Sequence, residues 1–413
     1  MREMFRFWVN VKGNGRYCLW TEPLWGIPFH LYFPFFTIYM FQLGVLDVQI
    51  GMLLALGRLV QVCTSLLGGI VTDKFGRNLT TFVSDLVAWS VPMLIWAFAQ
   101  DFRWFLAAAL INSFWQISNV SWECLWIDDM SEDVDSIKLF FNWLYVCGLF
   151  AVFFAPIAGF FVGLHGVVPV MRVLFVITFI SMTAKFVILF CFAKETNRGR
   201  ERMEATKGVS LLSLLMGYKE VFLQLLKSKG MLRALSLQST AQVTILVAST
   251  FFALYATQNL GLPDQFLAYF PILRAGVMLA FLFFIQNRLY RFAQNRVMLV
   301  GISIKILALV VLLRAPEGNW ILPGLYIFLE ACAAALLMPR IDTLAANAID
   351  PKERARIRGL FNVIILAVSS PFALLAGFLS DMNRQLPFIL NIGLFALMAV
   401  FVYRKVDKHA NKE

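Results

Sequence analysis

The sequence predicts an all-α membrane protein, with twelve transmembrane helices in two pseudo-symmetric bundles of six. Three observations carry this. The 413 residues are 60% hydrophobic and 15% charged, with mean hydropathy +0.74, far from the balance of soluble domains. Apolar runs long enough to cross a hydrocarbon core, about 20 residues, recur along the whole chain. A single long polar stretch, 194–230, divides them six and six. The weak ten-residue alternation of a membrane β-barrel is absent.

The spans expected from the apolar runs are 24–43, 50–72, 79–99, 104–127, 139–163 and 168–193, then 231–257, 265–286, 297–314, 320–345, 359–380 and 386–403. The domain division that follows is 1–193, a cytoplasmic linker 194–230, and 231–413. Lys and Arg set the orientation, because basic residues stay on the cytoplasmic side. Segments on the side of both termini hold 26 of them; the opposite loops hold only Arg103 and Arg384. Both termini are therefore expected in the cytoplasm of a multi-pass protein of the plasma (inner) membrane. That asymmetry accounts for the net charge of +11 without nucleic acid. A basic N-terminus followed by many apolar runs argues against a cleaved signal peptide.

Within the linker, Leu211, Leu214, Leu215, Tyr218, Val221, Phe222 and Leu225 recur at helical spacing with charges on other faces. This predicts an amphipathic helix on the membrane surface. Residues 1–20 read as a second one. Six Cys and three His show no metal spacing, and the five Cys inside apolar runs read as small core residues. No cofactor, no nucleotide-binding loop and no enzyme activity are expected.

Between the second and third spans lies Gly69-Ile70-Val71-Thr72-Asp73-Lys74-Phe75-Gly76-Arg77. After the eighth span, Asn287-Arg288-Leu289-Tyr290-Arg291 keeps the basic pair at the same spacing, a faint internal repeat. The first stretch resembles the loop 2–3 signature of the major facilitator superfamily, and it sits in the loop and on the side which that family demands. Span 1 and the stretch Pro351 to Gly359 are also similar to the family. The resemblance implies a secondary transporter with two bundles rocking about a central site. It implies that Gly69, Asp73, Lys74, Gly76 and Arg77 form a conformational latch. Asp73 would face the start of helix 11, and Arg77 would face Asp128 or Asp129 at the end of helix 4. The family's drug antiporters carry an arginine midway along helix 4, whereas no Lys or Arg occurs between Trp104 and Met130. Their helix 5 glycine pattern is present only in part, at Ala155-Pro156-Ile157-Ala158-Gly159.

A charge in the membrane needs a partner or a wet cavity. Arg58 and Arg274 fall near the middle of spans 2 and 8. They are similar in placement to the arginine pair of the family's nitrate/nitrite transporters and suit a bound anion; the alternative for each is an ion pair with a neighbouring helix. Glu330 in span 10 is the first candidate for proton coupling, with a structural pair to Lys305 as the alternative. Glu123 is the second. Asn112, Gln116, Asn119 and Glu123 are spaced to share one face of a helix, which reads as a cavity wall or as interhelical glue. Gln238 and Gln242 form a shorter stripe. Lys185 and Arg172 read as side chains that snorkel to the interface.

The function expected is transport of a small anionic or zwitterionic solute, coupled to protons or another ion, by a monomer in the lipid bilayer. Drug or amphiphile efflux, and a non-transporting sensor or scaffold on the same fold, remain alternatives.

Overall fold

The computed structural model describes residues 7–130, 134–208, 222, 225–289, 291–348 and 354–403; of the side chains at 134, 287 and 354–356 nothing is said. Among the described residues, ten helices are long and apolar enough to span a membrane. Two further apolar segments, at the predicted spans 1 and 4, are helices interrupted midway. In chain order, α1 is Gly13–Thr21. The first span, α2, runs Pro23–Tyr32 and Phe36–Gln42 with a tight turn at Phe33–Phe35. The break has a cause: Pro34 cannot donate a backbone bond and crowds the preceding turn. Then follow α3 (Asp47–Phe75) and α4 (Arg77–Ala97), and α5 in two pieces, Phe102–Asn112 and Trp115–Ile127. Two more spans, α6 (Asp135–His165) and α7 (Val167–Phe192), complete the first half.

The short helix α8 (Asn197–Ala205) opens the linker. The second half is α9 (Lys229–Asn259), α10 (Asp264–Ile285), α11 (Gln294–Leu313), α12 (Ile321–Ala348), α13 (Arg354–Met382) and α14 (Leu386–Tyr403). The amphipathic helix expected over 211–225 lies almost wholly outside the described residues. At its end, Leu225 is buried against Leu235, Ile357 and Phe361.

Within the first half, α3 and α4 pack on α5, and α7 packs on α2 and α4; within the second, α11 packs on α12 and α14, and α9 on α13. The halves meet chiefly through α3 with α13, and through α6 with the start of α10. Small residues make this close approach possible. A Cβ on Gly51 would lie 2.7 Å from the Ala373 carbonyl and 2.7 Å from the Gly377 Cα. At the same end of the molecule, Asp47 accepts from both arms of Arg384 (2.9 and 3.2 Å) and from Ser380 (2.6 Å). Gln42 donates to Asp264 nearby (3.0 Å). We call this the Asp47 end, and the opposite one, where Gly76 alone separates α3 from α4, the loop end.

Cysteine placement differs from expectation. Cys18, outside the apolar runs, is fully buried, whereas Cys63 and Cys191 inside them are exposed. In a membrane an apolar side chain gains little by avoiding lipid, so apolar context does not imply burial.

Candidate functional site

The central cluster is built from three helices of the second half. Glu330 on α12 accepts from Arg274 Nε on α10 at 2.9 Å, and its other oxygen takes the Lys305 ammonium of α11. Glu330 and Lys305 are buried, while the Arg274 side chain retains 43% of its exposure. Tyr326, one turn before Glu330, is buried beside them and stacks on Phe252 (5.4 Å). Two positive charges thus meet one negative charge. Of the two readings of Glu330, the structural ion pair with Lys305 is present, and Arg274 shares the same carboxylate. Arg58 is half-buried and donates to Gln61 Oε1 on its own helix (3.2 Å). Arg58 and Arg274 share no described partner.

The polar stripe of α5 does not stay on one face. The helix breaks at Ser113–Phe114, where Ser113 Oγ lies within bonding distance of the carbonyls of Gly57 (3.0 Å) and Ala109 (2.8 Å). The break resets the helical phase. Asn112 consequently turns to α4, donating to the Ala88 carbonyl (2.8 Å), which is interhelical glue. Gln116 turns the other way and accepts from Asn362 of α13 (3.2 Å), which also reaches Ser65 (3.2 Å). This bridges the two halves. Asn119 is exposed, and Glu123 is half-buried within the field of Arg358 on α13. Gln238 donates to Asp342 (3.3 Å), and Gln242 is exposed.

At the loop end, Gly76 takes φ 86°, which glycine allows, and separates α3 from α4. A Cβ there would also meet the Glu195 carboxylate at 2.6 Å. Arg77 Nε donates to Asp128 Oδ2 (3.1 Å) with both side chains nearly buried, and Arg77 Nη1 lies 3.3 Å from Asp73. Lys74 is half-buried in the last turn of α3 and Gly69 one turn earlier. The expected approach of Asp73 to the start of α13 falls on side chains outside the described residues. Asp129 faces α1 instead: its carboxylate accepts the Asn14 N–H at 2.7 Å. Burial pushes the Asp129 carboxyl above its ordinary range, and that N–H pulls it back. Beyond the predicted latch, Thr196 donates to Asp128 (2.9 Å), the Glu195 carboxylate accepts the Asn78 N–H (3.0 Å), and Thr206 donates to the Asp73 carbonyl (3.2 Å). The start of the linker thus straps the turn.

A differential effect follows. Removing one member of a buried pair costs about 3–5 kcal/mol, so Asp128→Ala should lower thermal stability sharply. Asp73→Ala, at a side chain 34% exposed, should cost little; equal melting temperatures for the two variants would contradict this.

Sequence reasoning misread Lys185 and passed over Asp85 and the Asp47–Arg384 pair. Lys185 does not snorkel: it is buried and pairs with Glu22 at 2.7 Å, between Trp25 and Trp122. Asp85 is buried on α4. Asp47 and Arg384 close one end. A charged residue inside a span was the available signal for Asp85 and Lys185. For Asp47 and Arg384 no sequence signal exists, because the partners are separated by nearly the whole chain.

The sequence model of the Major Facilitator Superfamily matches residues 26–372. Among curated proteins none matches the chain by sequence. Solved structures share its fold. They include a nucleoside transporter, NupG (TM-score 0.72, 14% identity, covering 95% of this chain and 99% of that one). A peptide transporter, POT, in complex with sulfate gives TM-score 0.71 at 15% identity over 96% and 94%. A POT family transporter in complex with 5-aminolevulinic acid gives 0.70 at 11% identity over 95% of each chain. At these identities the likeness is one of fold.

Proposed function

Because the chain belongs to the Major Facilitator Superfamily, we propose that it is a secondary active transporter of a small anionic or zwitterionic solute, working by alternating access in the plasma membrane. The division proposed is two rocking halves, 1–193 and 231–413, joined by the cytoplasmic linker 194–230. The observation that supports the substrate class is the Arg274–Glu330–Lys305 cluster. Its excess of one positive charge has no place against lipid, so the open side of Arg274 faces water or solute. A guanidinium there offers a planar fork of donors to a carboxylate or similar anion. The molecule in complex with one neighbour of the fold, 5-aminolevulinic acid, carries both charge signs, which fits this chemistry.

Proton coupling through Glu330 or Glu123 belongs to the same proposal. A proton on Glu330 would release Arg274 and Lys305 to a substrate anion; loss of the substrate would return the carboxylate to them. With the loop end in the cytoplasm, the Asp47–Arg384 clamp closes the outward side. Arg58, Asn119, Gln116, Gln238 and Gln242 are proposed as the remaining polar wall.

The test is a melting-temperature screen of purified protein against amino acids, organic anions, sugars and cationic drugs, since a ligand that binds only the folded state raises the midpoint. An anion or zwitterion should raise it, and Arg274→Gln should abolish the shift while leaving the protein folded. A response to cationic amphiphiles alone would favour efflux; an unaltered response in Arg274→Gln would remove the arginine from the site.

A further inference from the structure

Helix α1 presents two unlike faces. One is buried: Asn14, Gly15, Cys18 and Leu19 turn inward, and Cys18 and Leu19 pack with Leu125, Trp126, Phe140 and Leu189. The other carries Gly13, Arg16, Tyr17 and Trp20 at three- and four-residue spacing. Two cavities lie along this second face.

The first cavity, of about 520 Å³, is lined by Lys12 and Arg16, by Lys194 at the start of the linker, and by Asp129 and Glu195. The three cations are exposed, and none of them forms an ion pair with a described acid. Both acids are already held by backbone N–H groups. Asp129 accepts that of Asn14 (2.7 Å), and Glu195 accepts those of Asn78 (3.0 Å) and Thr196 (3.1 Å). Tyr17 and the exposed Phe192 also line this cavity, their rings stacked at 5.7 Å. Phe192 is the last residue of α7, so the cavity sits where a span leaves the membrane.

The second cavity, of about 490 Å³, has three tryptophans in its wall, Trp8, Trp20 and Trp143, and no charged side chain lines it. The Trp8 ring centre is 5.8 Å from that of Trp20 and 6.1 Å from that of Trp143. Trp143 lies about 12 Å along α6 from its start at the loop end, so this cavity is the deeper one in the bilayer. Arg16 joins the two, its guanidinium 4.3 Å from the centre of the Trp20 ring.

We propose that this paired cavity binds an anionic phospholipid, with the phosphate on Lys12, Arg16 and Lys194 and an acyl chain along Trp20 and Trp143. Basic pockets where spans leave the bilayer suit such head groups, and tryptophan suits the boundary where one side is apolar and the other wet. A free phosphate would use the first cavity and leave the second; a phospholipid uses both. The site does not depend on the transport reading and needs only a bilayer around the chain. Its occupant would act on a joint. The Asn14 side chain clasps the backbone of Lys194, donating to its carbonyl and accepting its N–H at 2.8 Å each. The next residues, Glu195 and Thr196, hold Asn78 and Asp128. A phosphate shared by α1 and Lys194 ties the same two elements, so bound lipid tightens the strap at the loop end.

The experiment is native mass spectrometry of the full-length protein in detergent, titrated with phosphatidylglycerol and separately with phosphatidylcholine of the same chains. Phosphatidylglycerol should bind the tighter, at one saturable site. A cation at the membrane surface contributes about fivefold, so Lys12→Gln, Arg16→Gln and Lys194→Gln together should weaken it about a hundredfold. Lys227→Gln, Lys229→Gln and Arg296→Gln, which remove the same charge from exposed positions at the loop end of the other half, should leave it unchanged. If the first triple variant does not fold, Lys194→Gln alone is read, with a loss of about fivefold. Equal affinity for the two lipids, equal losses in the two triple variants, or no loss in Lys194→Gln overturns the site. Inorganic phosphate that binds the wild type as tightly as the lipid would assign the first cavity to free phosphate and overturn the lipid.

Discussion

Glu330→Gln should be among the most damaging single changes in the second half. Glu330 and Lys305 are buried, at 10% and 6% side-chain exposure. The amide retains shape and some hydrogen bonding but leaves Lys305 facing Arg274 without a counter-charge. Breaking a buried pair by removing one partner costs about 3–5 kcal/mol. Arg274, at 43% exposure, is partly relieved by water, so most of the loss is borne by Lys305. The variant should therefore melt well below the wild type. Adding Lys305→Met should recover much of the loss, because the uncompensated charge is gone and an apolar side chain of similar length fills its place. A double variant no more stable than Glu330→Gln alone would show that Lys305 matters through packing and not through charge.

The second large effect is expected at the Asp47 end. Gly51→Val cannot be absorbed by side-chain movement, because the nearest atoms are backbone of α13, at 2.7 Å. The two halves must separate there. Arg384→Ala reaches the same end by electrostatics. It strips the bidentate partner from Asp47, which is 2% exposed, and leaves only Ser380. At about 3–5 kcal/mol for the broken pair, the balance between conformations moves by a factor of about a hundred or more toward the one open at this end. Accessibility of a cysteine placed at the buried Ala376 to a water-soluble maleimide should rise in Gly51→Val and in Arg384→Ala, in a background without the six native cysteines. Protection unchanged in both variants would mean that this contact does not close the protein.

How far the sequence led can be judged helix by helix. The apolar runs located all the spans to within a few residues, since crossing a bilayer demands a length that composition alone reveals. The breaks in α2 and α5 were harder. Pro34 signals the first, but Ser113 ends the upper piece of α5 through hydrogen bonds to Gly57 and Ala109, and a serine carries no such message in isolation. That break is why Asn112 and Gln116 face different partners although their spacing put them on one face. The motif at 73–77 was legible because its glycine and charges occupy fixed positions, and Arg77 does meet Asp128; the loop expected there is the single residue Gly76, since Asp73 to Phe75 end α3 and Arg77 opens α4. Glu330 and Arg274 were visible as charges inside spans. Their union was not, because which helices of a bundle touch is set by tertiary packing. Lys185 was misjudged for the same reason: its length allowed snorkelling, and only the position of Glu22 beside α7 reveals a buried pair.

Alternating access requires two halves that pivot, so that closure at one end accompanies opening at the other. Distances between spectroscopic labels test this directly. One pair sits at the Asp47 end, on Leu46 and Met382, and one at the loop end, on Leu79 and Phe292; all four side chains are exposed. The labels are carried by unnatural residues, so that the native cysteines stay unlabelled. In lipid vesicles, Arg384→Ala should lengthen the first distance and shorten the second. A first distance that lengthens while the second stays fixed, or two distances that do not respond, would contradict alternating access in this protein.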